Sequence, residues 1–156
     1  MNGIFLTIWR FSLKQFLVLL AILPITLIVM VEFSLNTMID AKIDAVNDIV
    51  YMYKEQAKQD GTFAHVMDDM KNHIQKVVGT NEEIITDGTY VSESPKYRVT
   101  SMSALANPED VFIHYRIEVP ISEMKNLSGL IKAKHTKHYY VIDSYTASER
   151  LPSEDQ

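Results

Sequence analysis

Hydrophobic and polar positions divide the chain into an apolar N-terminal run, an amphipathic stretch and an alternating C-terminal part. Residues 15–31 (QFLVLLAILPITLIVMV) are seventeen positions without a charged side chain. As a helix this run measures roughly 26 Å, close to the ~30 Å hydrocarbon core of a bilayer. A soluble helix usually keeps one polar face, and this run has none. We therefore predict a transmembrane helix over residues 15–35.

Apolar residues recur at helical spacing beyond this run. They are Leu35, Ile39, Ile43, Val46, Val50 and Tyr53, which are three or four positions apart. Between Phe33 and Asp60 there is no Pro or Gly, and Gly61 then supplies a helix stop. The pattern predicts one helix from about residue 5 to residue 59, amphipathic over its outer part, 36–60.

A second helix is predicted over residues 62–78. Thr62 is its expected N-cap and Gly79 its expected end. Its apolar stripe comprises Phe63, Val66, Met67, Met70, Ile74, Val77 and Val78. This stripe predicts that one face of the helix packs against the rest of the domain.

The C-terminal part alternates with the period of β-strands. Residues 83–91 predict a strand, or a hairpin, with a turn at Asp87-Gly88. The clearest strand is 111–119, and another is predicted over 139–146. Weaker predictions are a strand at 97–101, a loop at 104–110 and a short helix at 121–133. The predicted fold class is α+β, with an extracytoplasmic domain over 61–149 and a polar tail over 150–156 that frays from Glu149 onward.

Charge predicts the orientation of the membrane helix. Two of the fifteen basic residues, Arg10 and Lys14, precede the apolar run, and all twenty acidic residues follow it. Basic residues near the end of a span favour the cytoplasmic side, so residues 1–14 should be cytoplasmic and the rest outside. A cleaved signal peptide is the alternative interpretation. The residues after the run, Glu32 and Phe33 first, do not resemble a small-residue cleavage site, which favours an uncleaved anchor.

Composition limits the chemistry. The chain has no cysteine and a net charge of −5, and its acidic outer part argues against nucleic acid as a partner. His65, Asp69 and His73 share one helical face, but solvated pairing on that face explains them as well as a metal does. Because no catalytic or cofactor-binding motif is present, we predict no enzyme, no cofactor and no metal site.

The plan of apolar helix, amphipathic continuation and small sheet resembles pilin-like proteins, and TadE-like proteins more closely. The resemblance extends to uncharacterised relatives in Gram-positive conjugative elements. Three stretches carry it: Lys58-Gln59-Asp60-Gly61, Thr86-Asp87-Gly88-Thr89-Tyr90 ahead of an alternating strand, and Ser148-Glu149-Arg150. It implies a structural subunit held in the membrane by its hydrophobic helix. Prepilins carry Glu five residues after the glycine of the cleavage site, whereas Gly3 is followed at that distance by Ile8. The resemblance therefore implies a minor, unprocessed or divergent member.

Two functions are therefore predicted. The first is a structural subunit that packs against lipid and then against copies of itself, or against related subunits, in a filament or a secretion or conjugation apparatus. The second is a bitopic binding module in a membrane complex. The candidate membrane and assembly residues are Phe16, Leu20, Leu23, Pro24, Leu27, Val31, Glu32, Leu35, Ile39, Ile43, Val46, Val50 and Tyr53. For the outer stripe two coverings stay open: neighbouring copies, or the chain's own sheet.

Overall fold

The computed structural model describes residues 2–91, 95–99, 111–121 and 139–151, with side chains from residue 13 onward. Within those ranges two helices precede two strands. They are α1 (Asn2–Asp60), α2 (Met67–Val78), β1 (Phe112–Pro120) and β2 (Tyr139–Ala147). The fold class is α+β, as predicted, with a long apolar N-terminal helix, a short second helix and an antiparallel pair of strands.

The chain divides into two compact units, Met1–Met38 and Ile39–Gln156. The first unit is the N-terminal part of α1. Pro24 lies inside that helix and does not end it, although a proline removes one backbone hydrogen bond. Nearby, the Thr26 hydroxyl donates to the Ile22 carbonyl at 3.0 Å, so this polar side chain is satisfied by its own helix.

The second unit is built around one hydrophobic cluster. Its members are Val46, Ile49, Val50 and Ala57 from α1, Phe63, Val66 and Ile84 from the connections, Met67, Met70, Ile74 and Val78 from α2, and Ile113, Tyr115, Ile117 and Val119 from β1. Two polar contacts join the elements around it. Lys42 Nζ donates to the Val78 carbonyl at 2.8 Å, and the Tyr140 hydroxyl donates to Asn47 Oδ1 at 3.0 Å. The outer half of α1 is thus part of the domain core.

β1 is the strand that the alternation predicted best. Val111, Ile113, Tyr115, Ile117 and Val119 are all buried, as expected for one face of a half-buried strand. β1 pairs with β2 along nine positions, from Phe112↔Ala147 to Pro120↔Tyr139. The predicted strands at 111–119 and 139–146 are therefore confirmed, each displaced by a residue at most.

The segment before β1 does not form the predicted strand or hairpin. Only Ile85 makes a bridge, to Glu118, and the turn at Asp87-Gly88 has Gly88 at φ 85°. Beyond the turn the Tyr90 amide donates to the His114 carbonyl at 2.8 Å. Between these two points the Thr89 hydroxyl donates to the Arg116 carbonyl and accepts from the Arg116 amide. A side chain thus replaces the backbone ladder along this edge of β1.

The second helix is shorter than predicted. It begins at Met67, and Thr62 does not cap it; the Thr62 hydroxyl instead accepts from the Ala64 amide at 3.2 Å in the turn before the helix. Because Thr62 bonds to an amide only two residues ahead, the chain turns there before it becomes helical. Gly79 ends α2 in the left-handed region, as predicted. Of the predicted stripe only Val77 is exposed.

The remaining predictions divide by where they fall. Residues 97–99 are not in a strand, and 100–101 lie outside the described residues. The loop predicted at 104–110, and the helix predicted at 121–133 beyond its first residue, lie outside them too. The prediction that the chain frays from Glu149 is wrong for Glu149 and Arg150, because both make hydrogen bonds to the end of α1.

Candidate functional site

The apolar segment of α1, residues 16–31, exposes its side chains on every side of the helix. Phe16 is 60% exposed, and Leu20, Leu23, Leu27 and Val31 are also exposed. By length and composition this part of α1 is a candidate membrane span, and within the described residues it is the one helix that qualifies. Contiguous apolar surface of this extent marks a membrane or protein contact, because water does not solvate it favourably.

The polar groups of this segment lie at its ends or are satisfied within the helix. Lys14 and Gln15 precede it, and the exposed Glu32 follows it directly. The Thr26 hydroxyl donates to the Ile22 carbonyl of the same helix. An unsatisfied polar group in hydrocarbon costs several kcal/mol, so this arrangement suits a lipid environment.

The outer predicted stripe behaves differently, because the chain itself covers most of it. Val46 is 0% exposed and Val50 is 3% exposed, and Ile39 is also buried. Leu35, Ile43 and Tyr53 are half-buried. Of the two coverings that the sequence left open, burial within the same chain is the one observed for Val46 and Val50. These two residues therefore serve the core and are not available to a neighbouring copy.

Sequence reasoning missed two buried members of the same face. Ile49 and Ala57 belong to the core cluster, and Ala57 is fully buried. Their spacing gave a signal, since Ile49 lies three residues after Val46 and Ala57 lies seven after Val50. With Ile49 and Ala57 included, the predicted apolar face of α1 is wider than the single stripe that the sequence analysis described.

The C-terminal end of α1 is held by residues from the other end of the chain, in what we call the helix-end clamp (Lys58, Asp60, Gly61, Lys96 and residues 148–150). The Glu149 amide donates to the Lys58 carbonyl at 2.8 Å, and an Arg150 guanidinium nitrogen donates to the Asp60 carbonyl at 3.0 Å. The Lys96 amide donates to the Gly61 carbonyl at 3.0 Å. Helix ends leave carbonyls unpaired, and the clamp supplies donors for them.

Buried Ser148 joins two segments of this clamp, residues 148–150 and the segment of Lys96. Its hydroxyl donates to the Lys96 carbonyl at 2.7 Å and accepts from the Arg150 amide at 3.2 Å. Gly61 gives the clamp its tight turn, because it has φ 76° and a Cβ there would collide with the Lys96 carbonyl oxygen. The clamp therefore depends on a small polar residue at one position and on glycine at another.

Ion pairs surround the clamp. Lys58 Nζ lies 2.8 Å from Glu149 Oε1 and 2.9 Å from Glu55 Oε2. The hydrogen bond to Glu149, followed by that to Glu55, raises the pKa of Lys58 above its usual range. The hydrogen bond from Lys58 in turn lowers the pKa of Glu55. Both shifts favour the charged forms at neutral pH.

A second polar network lies on the open face of the sheet. His114 Nδ1 is 2.8 Å from the Gly88 carbonyl oxygen, and its Nε2 is 2.7 Å from Asp143 Oδ1. Arg116 donates to Glu118 at 2.7 Å and to Asp143 Oδ2 at 3.4 Å. The hydrogen bond to Glu118 raises the pKa of Arg116. Each nitrogen of the imidazole is within hydrogen-bonding distance of an oxygen atom of the chain, Gly88 O or Asp143 Oδ1.

Two of the three stretches that carry the resemblance to TadE-like proteins contact each other, and the third contacts β1. Residues 58–61 and 148–150 together form the helix-end clamp. Residues 86–90 lie along β1 and bond to it through Thr89 and Tyr90. These motifs therefore serve the packing of the outer unit.

His65, Asp69 and His73 are exposed, with the His73 ring edge-on to the Tyr53 ring at a centroid distance of 6.2 Å.

No protein-family model, curated protein or solved structure matches the chain. Its function is therefore inferred from the exposed apolar segment and from the outer unit's own packing.

Proposed function

We propose that the protein is a single-pass, membrane-anchored structural subunit of pilin-like type. In this proposal residues 15–35 span the membrane with residues 1–14 on the cytoplasmic side, and the outer unit is extracytoplasmic. The subunit binds lipid, and then copies of itself or related subunits, in a filament or a secretion or conjugation apparatus. The observation that carries the proposal is the apolar segment of α1, which is exposed on all sides and leads in the same helix into a domain core.

The burial of Val46 and Val50 limits which residues could pack against a neighbouring copy. Because these side chains lie inside the outer unit, contacts between copies would form through the apolar segment and not through the outer stripe. Membrane helices associate by close van der Waals packing, which an all-apolar surface provides. We therefore assign the assembly role to Phe16, Leu20, Leu23, Leu27 and Val31.

The absence of cysteine makes a direct test available. Single cysteines are placed in turn at positions 16–31 of the full chain, and disulfide formation is measured in native membranes. A disulfide needs Cα atoms about 4.4–6.8 Å apart, so a packed interface gives crosslinking that peaks every three to four positions. Met52→Cys, on an exposed position of the outer unit, is the control. Crosslinking no greater than this control at every position would contradict assembly through the apolar segment.

A second experiment tests the filament itself. Electron microscopy of the sheared surface fraction of expressing cells is combined with mass spectrometry of the N-terminal peptide. The structural subunit predicts filaments that contain this chain. A peptide beginning at Met1 or Asn2 supports an uncleaved anchor, whereas a peptide beginning after residue 31 supports the signal-peptide alternative and contradicts the span.

The alternative function is a bitopic binding module. It is favoured by the self-contained core of the outer unit, in which Val46, Val50 and Ile113 are buried without a second copy. This alternative predicts a monomer or small complex in detergent-solubilised membranes and no filament, so the two experiments above distinguish it from the structural subunit.

A further inference from the structure

One edge of β2 has no strand beside it in the described part of the chain. β1 pairs with the other edge along nine positions, and the sheet in that part of the chain consists of these two strands. The second edge of β1 is covered, because residues 85–90 bond to it at Glu118, Arg116 and His114. Among the described residues, the open edge of the sheet therefore belongs to β2.

The bonds of β1 determine which backbone groups of β2 point to this edge. Glu118, Arg116 and His114 direct their backbone groups to residues 85–90, which is away from β2. In an antiparallel pair, two directly opposite residues either exchange hydrogen bonds with each other or both point their groups outward. The residues opposite these three therefore point their amides and carbonyls to the open edge. They are Val141, Asp143 and Tyr145.

The backbone groups at this edge are available for pairing. The amides and carbonyls of Val141, Asp143 and Tyr145 form no hydrogen bond with another residue that the structure describes. The side chains of Val141 and Tyr145 are 45% and 58% exposed, so the open face of the sheet is accessible beside them. A row of unpaired donors and acceptors along an extended strand is a template for pairing with another chain.

β2 also lacks the features that usually protect an open edge. Natural sheets protect such edges with lysine, proline, a bulge or a very short strand. Residues 139–147 (YYVIDSYTA) contain no lysine, proline or glycine, and all nine positions pair with β1 in one register. The one charged residue of β2, Asp143, is bonded to His114 and Arg116. The sequence of β2 therefore does not oppose the addition of a strand.

The hydrophobic core is incompletely covered beneath β2. Ile142 lies opposite Ile117 in the sheet, yet Ile117 is fully buried and Ile142 is only half-buried. Tyr140 is half-buried as well, and both side chains of β2 pack against the core cluster. A strand added beyond β2 would place alternate side chains beside these two residues. Apolar side chains at those positions would extend the core.

We propose that the open edge of β2 binds an extended segment of another protein by β-strand addition. The segment would exchange backbone hydrogen bonds with Val141, Asp143 and Tyr145, as in other complexes that extend a sheet. Its side chains would alternate, with apolar residues on the core side and a basic or hydroxyl residue opposite Asp143. The proposal is independent of assembly through the apolar segment, because all of these groups belong to the outer unit.

The charge of Asp143 argues against β2 of a second copy as the occupant. Antiparallel pairing of the whole of β2 with itself would place Asp143 directly opposite its own counterpart. Like charges directly opposite each other destabilise a sheet. A register shifted to avoid this contact leaves part of the nine-residue strand unpaired. A segment of different sequence therefore fits the edge better.

Amide hydrogen exchange of the full chain in detergent micelles tests the proposal with a synthetic peptide. The probe is acetylated KVTVKVTVK, whose valines would lie on the core side and whose central lysine would lie opposite Asp143. Exchange of the Val141, Asp143 and Tyr145 amides should slow by about threefold when the free peptide is at twice its Kd. Exchange of the Ile142 amide, which points to β1, should not change.

Two N-methylated forms of the probe separate backbone pairing from other modes of binding. In the full register the threonines of the peptide lie opposite Val141 and Tyr145, so their amides would donate to β2. N-methylation of both threonines should abolish the slowing of exchange. N-methylation of the two central valines, whose amides point away from β2, should preserve it.

Val141→Pro tests the edge from the protein side. Proline removes an amide that points to the open edge and is tolerated at such positions of an edge strand. This variant should abolish the slowing at Asp143 and Tyr145, whereas Val141→Thr, which keeps the amide, should preserve it. Protection of the Ser144 amide, which points to β1, shows in both variants that the two strands still pair.

Three outcomes would overturn the proposal. Without peptide, the Val141, Asp143 and Tyr145 amides could be as protected as that of Ile142, which would show that the chain covers its own edge. Exchange could remain unchanged up to about 5 mM peptide, several times the ~1 mM Kd of a weak complex. The two N-methylated probes could also act alike, which would exclude backbone pairing as the mode of binding.

Discussion

Gly61 meets two requirements that no other residue type meets together. It has φ 76°, in the left-handed region, and a Cβ at that position would collide with the carbonyl oxygen of Lys96. Gly79 has φ 72°, but nothing lies within 4 Å of a Cβ built there. The two glycines therefore separate the cost of backbone strain from the cost of a steric clash.

We predict that Gly61→Ala destabilises the outer unit more than Gly79→Ala does. Left-handed strain alone costs roughly 1–2 kcal/mol, which is the expected effect at Gly79. The collision at Gly61 adds roughly 1–3 kcal/mol, because the Lys96 segment must move away from the clamp. Urea unfolding of the two variants in micelles, followed by the near-ultraviolet circular dichroism of the tyrosines, measures the difference. Equal losses of unfolding free energy in the two variants would show that the clash at position 61 is relieved without an energetic cost.

The ion pair between Lys58 and Glu55, beside the helix-end clamp, makes the stability of the outer unit depend on pH. The sign of this dependence follows from the directions of the two pKa shifts. Glu55 has its pKa lowered from 4.5, mainly by the hydrogen bond from Lys58, so its contribution is present at neutral pH and is lost as pH falls below 4.5. Lys58 has a raised pKa, so its contribution is present below its usual 10.5 and is lost only as pH rises above it.

We therefore predict that Lys58→Met flattens the fall in stability below pH 4.5. Without this ammonium Glu55 loses the hydrogen bond that lowers its pKa most and keeps only the contact with Lys54, so acid removes less from the folded state. Urea unfolding of wild type and variant at pH 7, 4 and 3 provides the comparison. Lys71→Met, at a half-buried lysine of α2, is the matched control, and its stability should fall below pH 4.5 as steeply as that of the wild type. An unchanged slope in Lys58→Met would contradict the ion-pair contribution.

At the scale of elements, the outer half of α1 is a core helix of its own domain. Val46 is fully buried, whereas Met52 on the same helix is 42% exposed. The two positions allow the same substitution to be compared in buried and exposed surroundings. The comparison also determines whether variants of this face report on assembly or on folding.

We predict that Val46→Asp unfolds the outer unit and that Met52→Asp does not. Burying an unpaired carboxylate costs roughly 4 kcal/mol, a large share of the stability of a small domain, whereas an exposed change costs about 0.5–1 kcal/mol through helix propensity. Amide exchange of the β1 residues in micelles reports the result. Protected β1 amides in Val46→Asp would show that the residue is not a core position.

The elements that could be predicted are those with a strict period. Alternation at Ile113, Tyr115 and Ile117 predicted β1, and the spacing of three and four predicted α1 beyond the apolar run. The helix-end clamp could not be predicted, because the hydrogen bonds of Ser148 and Arg150 to the end of α1 join residues ninety positions apart and leave no periodic pattern in the sequence. Thr89 was missed for a related reason: its hydroxyl replaces a backbone pairing, and propensity does not describe that role.

At the scale of the whole molecule, the charges around the apolar segment should determine how the chain enters the membrane. Arg10 and Lys14 are the basic residues that precede it, and Glu32 and Asp40 are the first charges that follow it. Basic residues close to a span are retained on the cytoplasmic side. Because so few charges flank the segment, replacing two of them should measurably change the orientation of the chain in the membrane.

We predict that the double variant Arg10→Glu, Lys14→Glu reduces or reverses the proposed orientation. The readout is a single cysteine at the exposed position 69 of α2, Asp69→Cys, in a chain with no other thiol. In intact cells a membrane-impermeant maleimide should label this cysteine in the parent chain and label it less in the double variant. Asn2→Cys, expected on the cytoplasmic side, is the reciprocal control and should react only after the membrane is permeabilised. Labelling of position 2 but not of position 69 in the parent chain would reverse the proposed topology, and with it the extracytoplasmic location on which assembly at the cell surface depends.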